Sequence, residues 1–505
     1  MKKLSRDEVA KLLEEALDHT ETSGKDEILN SIHVAESRTG ARLITITGGM
    51  LQNPENQAML QALNSREAGG FVKNLTEVIK RGSEKFMEKF FVGYGHKSIG
   101  DCGVVPLWID GLSMVATKQF ENWPLFSGQE TSTRYVDVTG VGWLNPLSLK
   151  KTFGNSAIKQ FYEAFDWLFS FYKDALPKMK ETVRARFPRE NESESQYENA
   201  VHAKTCDILG AYLPCGAKTN MSIIMNIRQL GEHLQQMSFD PLPEVSWLAE
   251  DCMEFLHAIY PSSFPPKLYE GQAEYWKKVR KETAYFLTLE NYPEYRFGHD
   301  LTDFETVWKN WSWALKERPK GCELPKEMRK LGNCRVTHLQ DYRSMRDGYR
   351  HRDGTNRVPC AVMNFGMEDW YEKQMIFNED LYRKSLNVLY KIEKFYSKNT
   401  KDCYRHTVWG FPFVSNKSTL LEFQYIVPMG YRQPCERTLT FPSTVYYVEL
   451  RTGTRVHPTE RAVALKVTKS LRENFPGITL YVDESESEWD IKRGKDVIAV
   501  RYSSI

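Results

Sequence analysis

The chain has 505 residues, which is long for one hydrophobic core and predicts two or more domains. Its 68 basic and 66 acidic side chains leave a formal net charge of +2, so bulk charge gives no strong case for a nucleic-acid or membrane partner. The basic run KKVRK at 277–281 keeps nucleic-acid binding open as a minor alternative.

The cysteine and apolar patterns narrow the class of protein further. The nine Cys residues are scattered and show no CxxC spacing, so neither a disulfide framework nor a metal site is predicted, and a reducing cytoplasm is the expected compartment. The first residues form no apolar secretion signal. No apolar run reaches the roughly 18 residues that a membrane span needs. We therefore expect a cytoplasmic protein without membrane partners.

In chain order, the first forty residues predict a helical lead-in, and residues 41–49 predict a short strand that ends in a glycine turn. Helices are predicted over residues 67–91, 157–184 and 379–398. The helix at 157–184 rests on large apolar side chains that recur every three or four residues. A further helical run is predicted after Pro214, as far as Leu230.

Glu130, Ser132 and Arg134 alternate near the middle of the first half. On an extended segment, residues two apart point the same way, so these side chains can converge on one ligand. Arg is suited to a phosphate, and Ser and Glu can bind hydroxyls or base edges. The pattern fits a nucleotide site, but by itself it also fits a solvated strand face.

The flanking residues extend this pattern to a family signature. In order, the positions are Gly95-His96-x-Ser98, Gln119 and Glu130-x-Ser132-x-Arg134-Tyr135. This series resembles the signature region of the flavin-dependent thymidylate synthases. That family also carries a flavin-contacting Arg-His-Arg, and here Asn122-Trp123-Pro124 stands in its place. The resemblance therefore implies a deficient flavin site in the first half.

A later signature of the family is a Leu-Pro followed by Asn-x-Arg. Leu213-Pro214 and Asn226-x-Arg228 resemble it, which makes Asn226 and Arg228 candidate cofactor contacts. The position that carries a second nucleotide-binding Arg in the family falls on Met237. A second expected ligand is therefore missing from the first half.

The second half resembles a divergent copy that supplies what the first half lacks. Arg350-His351-Arg352 restores the flavin motif, although this sequence also fits a basic surface turn. Val427-Pro428 corresponds to Leu213-Pro214. Arg451 lies twenty-three residues after Pro428, as Met237 does after Pro214. The nucleotide-binding pattern of Glu130, Ser132 and Arg134 has no counterpart there.

The resemblance implies an α+β fold of two tandem domains of the flavin-dependent thymidylate synthase type, each a mixed sheet flanked by long helices. Their expected bounds are 1–285, with the nucleotide residues, and 286–505, with the Arg-His-Arg flavin motif. One composite active site would form between the two halves. Because the family is tetrameric, a homodimer acting as a pseudo-tetramer is expected.

The implied reaction is reductive methylation of dUMP to dTMP with methylenetetrahydrofolate, FAD and NADPH. By resemblance, each candidate residue has one of three roles. The catalytic candidates are Arg134, Arg451 and Ser132; the substrate-binding candidates are Gln119, Glu130, Ser132, Arg134, Arg432 and Arg451; the flavin-binding candidates are His96, Ser98, Asn226, Arg228, Arg350, His351 and Arg352.

Two alternatives to this reaction stay open. A pyrimidine hydroxymethylase acting on dUMP or dCMP would use the same scaffold without the final reduction. A non-catalytic descendant would bind nucleotide but no flavin, as expected if Arg350–Arg352 is a surface turn.

Overall fold

The computed structural model describes residues 1–18, 22–48, 52–65, 70–134, 142–143, 155–265, 268–288, 292–400, 406–408, 411–413, 417–486 and 489. The chain divides into two compact units. The first unit comprises residues 1–131, 143–154 and 217–284, and the second comprises 132–142, 155–216 and 285–505. Each unit is therefore assembled from separated stretches of sequence.

Antiparallel sheets form the centre of both units. The strands are β1 (Lys2–Lys3), β2 (Ile32–Glu36), β3 (Arg42–Ile46), β4 (Val104–Ser113), β5 (Gly128–Glu130), β6 (Lys218–Asn226), β7 (Tyr295–His299), β8 (Asn333–Asp341), β9 (Gly354–Arg357), β10 (His406–Val408), β11 (Phe411–Phe413) and β12 (Arg432–Thr440). The first unit has the order β1-β2-β3-β4-β6-β5. The second unit has the order β7-β8-β12-β9 and a separate β10-β11 pair.

Helices flank these sheets, which confirms the predicted α+β class. The described strand pairs are all antiparallel, so the mixed sheets predicted for each half are wrong. They are α1 (Arg6–Leu12), α2 (Glu14–Asp18), α3 (Thr22–Ser31), α4 (Pro54–Leu63), α5 (Gly70–Arg81), α6 (Glu84–Phe86), α7 (Met114–Glu121), α8 (Asn155–Arg186), α9 (Glu194–Leu209), α10 (Ile227–Met237), α11 (Pro243–Ile259), α12 (Gln272–Thr283), α13 (Phe304–Glu317), α14 (Tyr342–Gly348), α15 (Asp369–Met375), α16 (Glu379–Thr400), α17 (Lys417–Phe423), α18 (Phe441–Arg451) and α19 (Pro458–Asn474). A π-helical turn spans Met87–Gly93, and 3₁₀ turns span Lys97–Ile99, Gly210–Tyr212, Lys326–Leu331 and Gln424–Ile426. Within the described part of the chain, no helix is long and apolar enough to cross a membrane.

Residues 218–226 form strand β6, so the helix predicted after Pro214 is wrong there. Alternate side chains of this strand, such as Met221 and Ile223, are buried, which is the period of a strand and not of a helix. β6 pairs with both β4 and β5, and this pairing satisfies its backbone. Helix α10 begins only after Asn226, whose side chain accepts a hydrogen bond from Gln229 N (2.8 Å).

The remaining predicted elements agree with the structure in part. The strand predicted at 41–49 is β3, and the helices predicted at 157–184 and 379–398 are α8 and α16. The helix predicted at 67–91 is interrupted after α5, where Gly82 has a φ of 65°. The helical lead-in also contains β2, which pairs with β3. The lead-in is helical only in part because β2 has a sheet partner.

The two units contain the same succession of elements at one edge of their sheets. Strands β6 and β12 both have nine residues, and the helices that follow them, α10 and α18, both have eleven. The next helices, α11 and α19, both have seventeen residues. In each unit the neighbouring strand, β4 or β8, runs directly into a short helix, α7 or α14. The short helices end at Glu121 and Gly348.

A reciprocal set of backbone hydrogen bonds joins the two proline segments inside the second unit. Cys215 N donates to Val427 O (2.9 Å), and Met429 N donates to Leu213 O (2.8 Å). The adjoining pair repeats the arrangement, since the amides of residues 216 and 430 donate to the carbonyls of residues 425 and 211, each at 2.7 Å. Equivalent atoms of the two segments therefore make equivalent bonds.

Candidate functional site

The chain leaves the first sheet after Glu130, the last residue of β5, and turns at Ser132–Arg134. Arg134 N donates to Ser132 Oγ (3.2 Å), so a hydroxyl–backbone bond replaces strand pairing here. The extended alternation predicted for Glu130, Ser132 and Arg134 is therefore wrong beyond Glu130. Ser132 and Arg134 belong to the second unit and Glu130 to the first.

The Arg134 side chain is largely buried within the second unit and donates in three directions. Its Nε bonds to Asp207 Oδ1 (3.1 Å), and one Nη bonds to the carbonyl oxygen of Arg455 (2.8 Å). The other Nη lies 3.5 Å from Asp347 Oδ2. Arg134 thus connects α9, the segment between α18 and α19, and the end of α14.

Helix α14 lies beside this turn. Asp341 caps its N-terminus, where the carboxylate accepts a hydrogen bond from Ser344 N (2.9 Å), and the helix is buried along most of its length. Two of its buried arginines reach the turn, since Arg343 donates to Thr133 O (3.0 Å) and Arg346 to Thr133 Oγ1 (2.8 Å). Thr133, which lies between Ser132 and Arg134, is therefore fixed by hydrogen bonds from two side chains of α14.

Asp347 sits among several guanidinium groups at the end of α14. Burial acts to raise the pKa of this carboxyl, but the positive charges of Arg134, Arg451, Arg350 and Arg346 outweigh it and hold the pKa below its usual range. Asp347 is consequently ionised at neutral pH. Its negative charge neutralises only part of the positive charge that surrounds it.

Arg350, His351 and Arg352 follow α14 directly. His351 is buried, and Arg451 Nε donates to its Nε2 (3.1 Å), so the neutral ring carries its proton on Nδ1. Burial, followed by the charge of Arg451, lowers the pKa of His351 to about 3. Arg451 also donates to Asp347 O (2.7 Å). The structure thus brings Arg134, His351 and Arg451 together around Asp347.

Two further polar residues of this region have no motif in the sequence. Asp207 is fully buried at the end of α9, and the carboxylate accepts from Arg134 while its carbonyl accepts from Arg343. His457, also buried, precedes α19, and its Nδ1 lies 2.8 Å from Thr459 Oγ1. In the sequence, only the position of an acidic residue in an apolar stretch marks Asp207 as unusual, and no pattern marks His457.

Arg432, predicted to bind substrate, begins β12 and is paired elsewhere. Its Nη1 lies 3.0 Å from Glu294 Oε1, and its Nε donates to Phe365 O (2.9 Å). The described contacts do not join it to Arg134 or Arg451. A role for Arg432 at the nucleotide stays a prediction.

Gln119 and Glu130 lie in the first unit, where both have protein partners. The Gln119 amide donates to Ala284 O (2.8 Å) and accepts from Arg280 (2.8 Å). Glu130 forms an ion pair with the buried Lys118 (3.1 Å). Their predicted roles toward substrate also stay predictions.

The other candidate cofactor contacts lie in the first unit as well. His96 is exposed, stacks at 6.2 Å on Phe90, and precedes the 3₁₀ turn that contains the exposed Ser98. Asn226 caps α10, as described above. Arg228 forms a two-pronged ion pair with Asp101 (2.7 and 2.8 Å). Arg228 also lines a cavity of about 170 Å³ beside Gly95 and Lys97.

Trp123, at a position where the resemblance predicts a flavin motif, packs in an aromatic pair. Trp123 Nε1 donates to Gln229 Oε1 (2.7 Å), and its ring lies 4.8 Å from that of His233. Met237, where the resemblance predicts a second Arg, is fully buried in the core. Neither position offers a cation.

Comparison with known proteins adds the family relationship. Residues 50–262 match the family model described as thymidylate synthase complementing protein. The predicted family resemblance is confirmed for this segment. It contains Ser132, Arg134 and Asp207 but ends before α14 and Arg451.

Similar proteins include both uncharacterised and named members. A UPF0159 protein of Thermoplasma acidophilum is 22% identical over 458 residues, which cover 81% of this chain and 90% of that protein. A UPF0159 protein of Chlamydia muridarum is 27% identical over 215 residues, or 40% of each chain. A flavin-dependent thymidylate synthase of Thermococcus onnurineus is 23% identical over 231 residues, which cover 40% of this chain and 85% of that enzyme. The relationship therefore extends beyond the matched segment at low identity.

Proposed function

We propose that this protein catalyses reductive methylation of dUMP to dTMP at one active site per chain. The observation that carries the proposal is the convergence of Arg134 and Arg451 on Asp347 in the second unit. Arg134 comes from the first half of the sequence and Arg451 from the second, as a composite site requires. The family relationship supplies the reaction class.

The charge of the cluster favours an anionic ligand. The arginines at 134, 343, 346 and 451 are opposed by the carboxylates of residues 207 and 347. An excess of guanidinium groups in a largely buried place is stabilised by a bound phosphate, for which their geometry is well suited. The phosphate of dUMP fits this requirement.

Within this proposal, Arg134 and Arg451 hold the nucleotide and stabilise negative charge that develops on the pyrimidine. Ser132 donates a hydrogen bond to the nucleotide and is not a nucleophile. Contributions of Gln119 and Glu130 belong to the proposal on the strength of sequence alone. None of these roles needs a cysteine.

The residues after α14 are compatible with FAD. Arg350 is exposed, His351 is neutral, and Tyr446, which is 43% exposed, lies 5.7 Å from the His351 ring. Guanidinium groups suit the cofactor's phosphates, and an exposed aromatic ring suits its planar rings. Arg350, His351 and Arg352 would hold the cofactor, which supplies hydride for the reduction when bound. Methylenetetrahydrofolate as carbon donor and NADPH as reductant complete the proposal.

We further propose that the sequence halves 1–285 and 286–505 descend from one ancestral domain. Support comes from the equal lengths of β6 and β12 and of the helices that follow them, and from the reciprocal hydrogen bonds around Pro214 and Pro428. The Thermococcus enzyme also matches 40% of this chain with 85% of its own length. Two such chains would form a homodimer with four related domains.

The test is formation of dTMP by purified protein supplied with dUMP, methylenetetrahydrofolate, FAD and NADPH, measured by mass spectrometry. We expect dTMP from the wild type and at least about a 100-fold loss in Arg134→Ala. Arg335→Ala, which removes an exposed arginine from β8, is the matched control and should retain activity.

The products decide between the proposal and its alternatives. Formation of a 5-hydroxymethyl nucleotide would show that the protein catalyses hydroxymethylation and not the proposed reductive methylation. Binding of dUMP without any product or any flavin would indicate a non-catalytic descendant. Absence of both nucleotide binding and product would overturn the proposed function altogether.

A further inference from the structure

Thr133 is clamped by two buried arginines of one helix. Arg343 Nη2 donates to its carbonyl oxygen (3.0 Å), and Arg346 Nη2 donates to its hydroxyl oxygen (2.8 Å). Thr133 is 1% exposed, and the two arginines are 3% and 5% exposed. Because Ser132 and Arg134 flank Thr133, these bonds act at the centre of the proposed nucleotide-binding turn.

The arginines are themselves held in place. Arg346 Nε donates to Arg343 O (3.0 Å), and Arg343 also donates to Asp207 O. The space for the Arg343 guanidinium depends on Gly210, because a Cβ at that position would collide with it. This local packing fixes the direction of both side chains.

Two buried guanidinium groups are costly to desolvate unless their donors are hydrogen-bonded. Burial lowers the pKa of Arg343, because a desolvated site disfavours the charged form. Apolar side chains of similar size would fill the space with less desolvation. The bonds to Thr133 supply a reason for keeping both charges.

We propose that Arg343 and Arg346 are positioning residues that set Ser132 and Arg134 for the nucleotide through Thr133. The same helix carries Asp347 in its last turn and is followed by Arg350, so it fixes the nucleotide turn and the proposed flavin residues relative to each other. This inference rests on the proposed function, because it assumes that dUMP binds at the turn.

The first test compares two substitutions of Thr133. Thr133→Ser keeps the hydroxyl, and Thr133→Val keeps the branched shape but removes the acceptor for Arg346. We expect Thr133→Ser to bind dUMP within about twofold of wild type, and Thr133→Val to weaken binding by about 10-fold or more, since a charge-assisted hydrogen bond is lost. Calorimetric titration with dUMP measures this. In the assay, KM for dUMP should rise more than kcat falls.

A second variant keeps the test decisive if Thr133→Val unfolds. Arg346→Lys retains the charge and loses the forked geometry, and it should also raise the dissociation constant for dUMP. If both side chains act through one bond, the double variant should be hardly weaker than the worse single variant. Thermal unfolding and flavin content should stay close to wild type in Arg346→Lys.

The outcomes separate this inference from the proposed function. Wild-type protein that binds no dUMP would overturn the proposed function and the inference together. Wild-type binding with unchanged affinity in folded Thr133→Val and Arg346→Lys would overturn the inference alone. Additive losses in the double variant would also contradict it, because two independent effects need no shared bond.

Discussion

The ends of helices α7 and α14 follow equivalent strands in the two units and have opposite contents. After α7, Trp123 bonds to Gln229 and packs on His233. After α14, a buried neutral His351 lies between the exposed Arg350 and the partly exposed Arg352, and it accepts a hydrogen bond from Arg451. Corresponding positions of the two units thus hold either a closed aromatic cluster or a cluster of guanidinium groups, and the second is the one that we propose to bind an anion.

The second difference lies on the following helix. Arg451 ends α18 and Met237 ends α10, each at the eleventh residue of its helix. Arg451 donates to two groups near the α14 end, whereas Met237 is part of the core. The positions 123 and 237 in the first unit therefore both differ from their counterparts 351 and 451 in the second. The predictions below test whether only the second pair carries function.

The largest effect is expected from Arg451→Met, which installs the residue of the first unit. Met cannot donate to His351 Nε2 or to Asp347 O, and it removes a cation from the proposed phosphate site. We expect kcat/KM for dUMP to fall about 100-fold or more. Met237→Leu is the matched control and should stay within about twofold. Equal activity of Arg451→Met and wild type would show that Arg451 does not contribute to the proposed active site.

The next effect concerns flavin retention. The double substitution Arg350→Asn with Arg352→Gln removes the exposed and the partly exposed cation after α14, so bound flavin per chain should fall about 10-fold. The ratio of flavin to protein absorbance after gel filtration measures this loss. Asn122→Ala, at the corresponding place after α7, should leave the ratio unchanged. Loss of flavin in Asn122→Ala, with unchanged flavin in the double variant, would show that the flavin binds in the first unit and not in the second.

A smaller effect should appear in the pH dependence of stability. The pKa of His351 is lowered from 6.5 to about 3 by burial, so between these values the unfolded chain binds a proton that the folded chain does not. Stability should therefore fall as the pH falls from about 6.5, by up to about 1.4 kcal/mol per pH unit for this group. His351→Gln should flatten the slope of the urea midpoint against pH.

The first unit offers a control for that measurement. His233 is also buried, and burial lowers its pKa to about 3. His233→Gln should flatten the acid slope in the same way but leave flavin content unchanged, because this histidine serves only the core. An unchanged slope in both variants would contradict the burial argument.

The smallest effect is expected from Trp123→Phe. Phe keeps the aromatic packing on His233 but loses the hydrogen bond to Gln229, which should reduce the free energy of unfolding by about 1 kcal/mol. Chemical denaturation measures this change. Flavin content and KM for dUMP should match wild type, and a loss of flavin would show that the first cluster has a role in cofactor binding.

Sequence patterns predict the long helices and the family. They fail where contacts between distant residues determine the local structure. Helices α8 and α16 followed from apolar periodicity sustained over many turns. Strand β6 was mistaken for helix because an apolar run of this length fits both structures until its neighbours β4 and β5 are known. The turn at Ser132 was also missed, since it depends on a single side-chain hydrogen bond.

The candidate site could be anticipated only where a family motif exists. Arg134, His351 and Arg451 were named from such motifs, and the structure brings them together around Asp347. Asp207 and the contact between Thr133 and Arg346 were not anticipated. The latter residues are 213 positions apart, and no local pattern connects them.

The most direct test of the account is the number of flavins bound per chain. Purified protein is saturated with FAD and dUMP, freed of unbound cofactor, and assayed for flavin and for protein mass. Because only the second unit combines the cations after α14 with Arg451, we predict about one flavin per chain. Two flavins per chain would contradict the account, since the aromatic cluster at Trp123 would then also have to accommodate a cofactor.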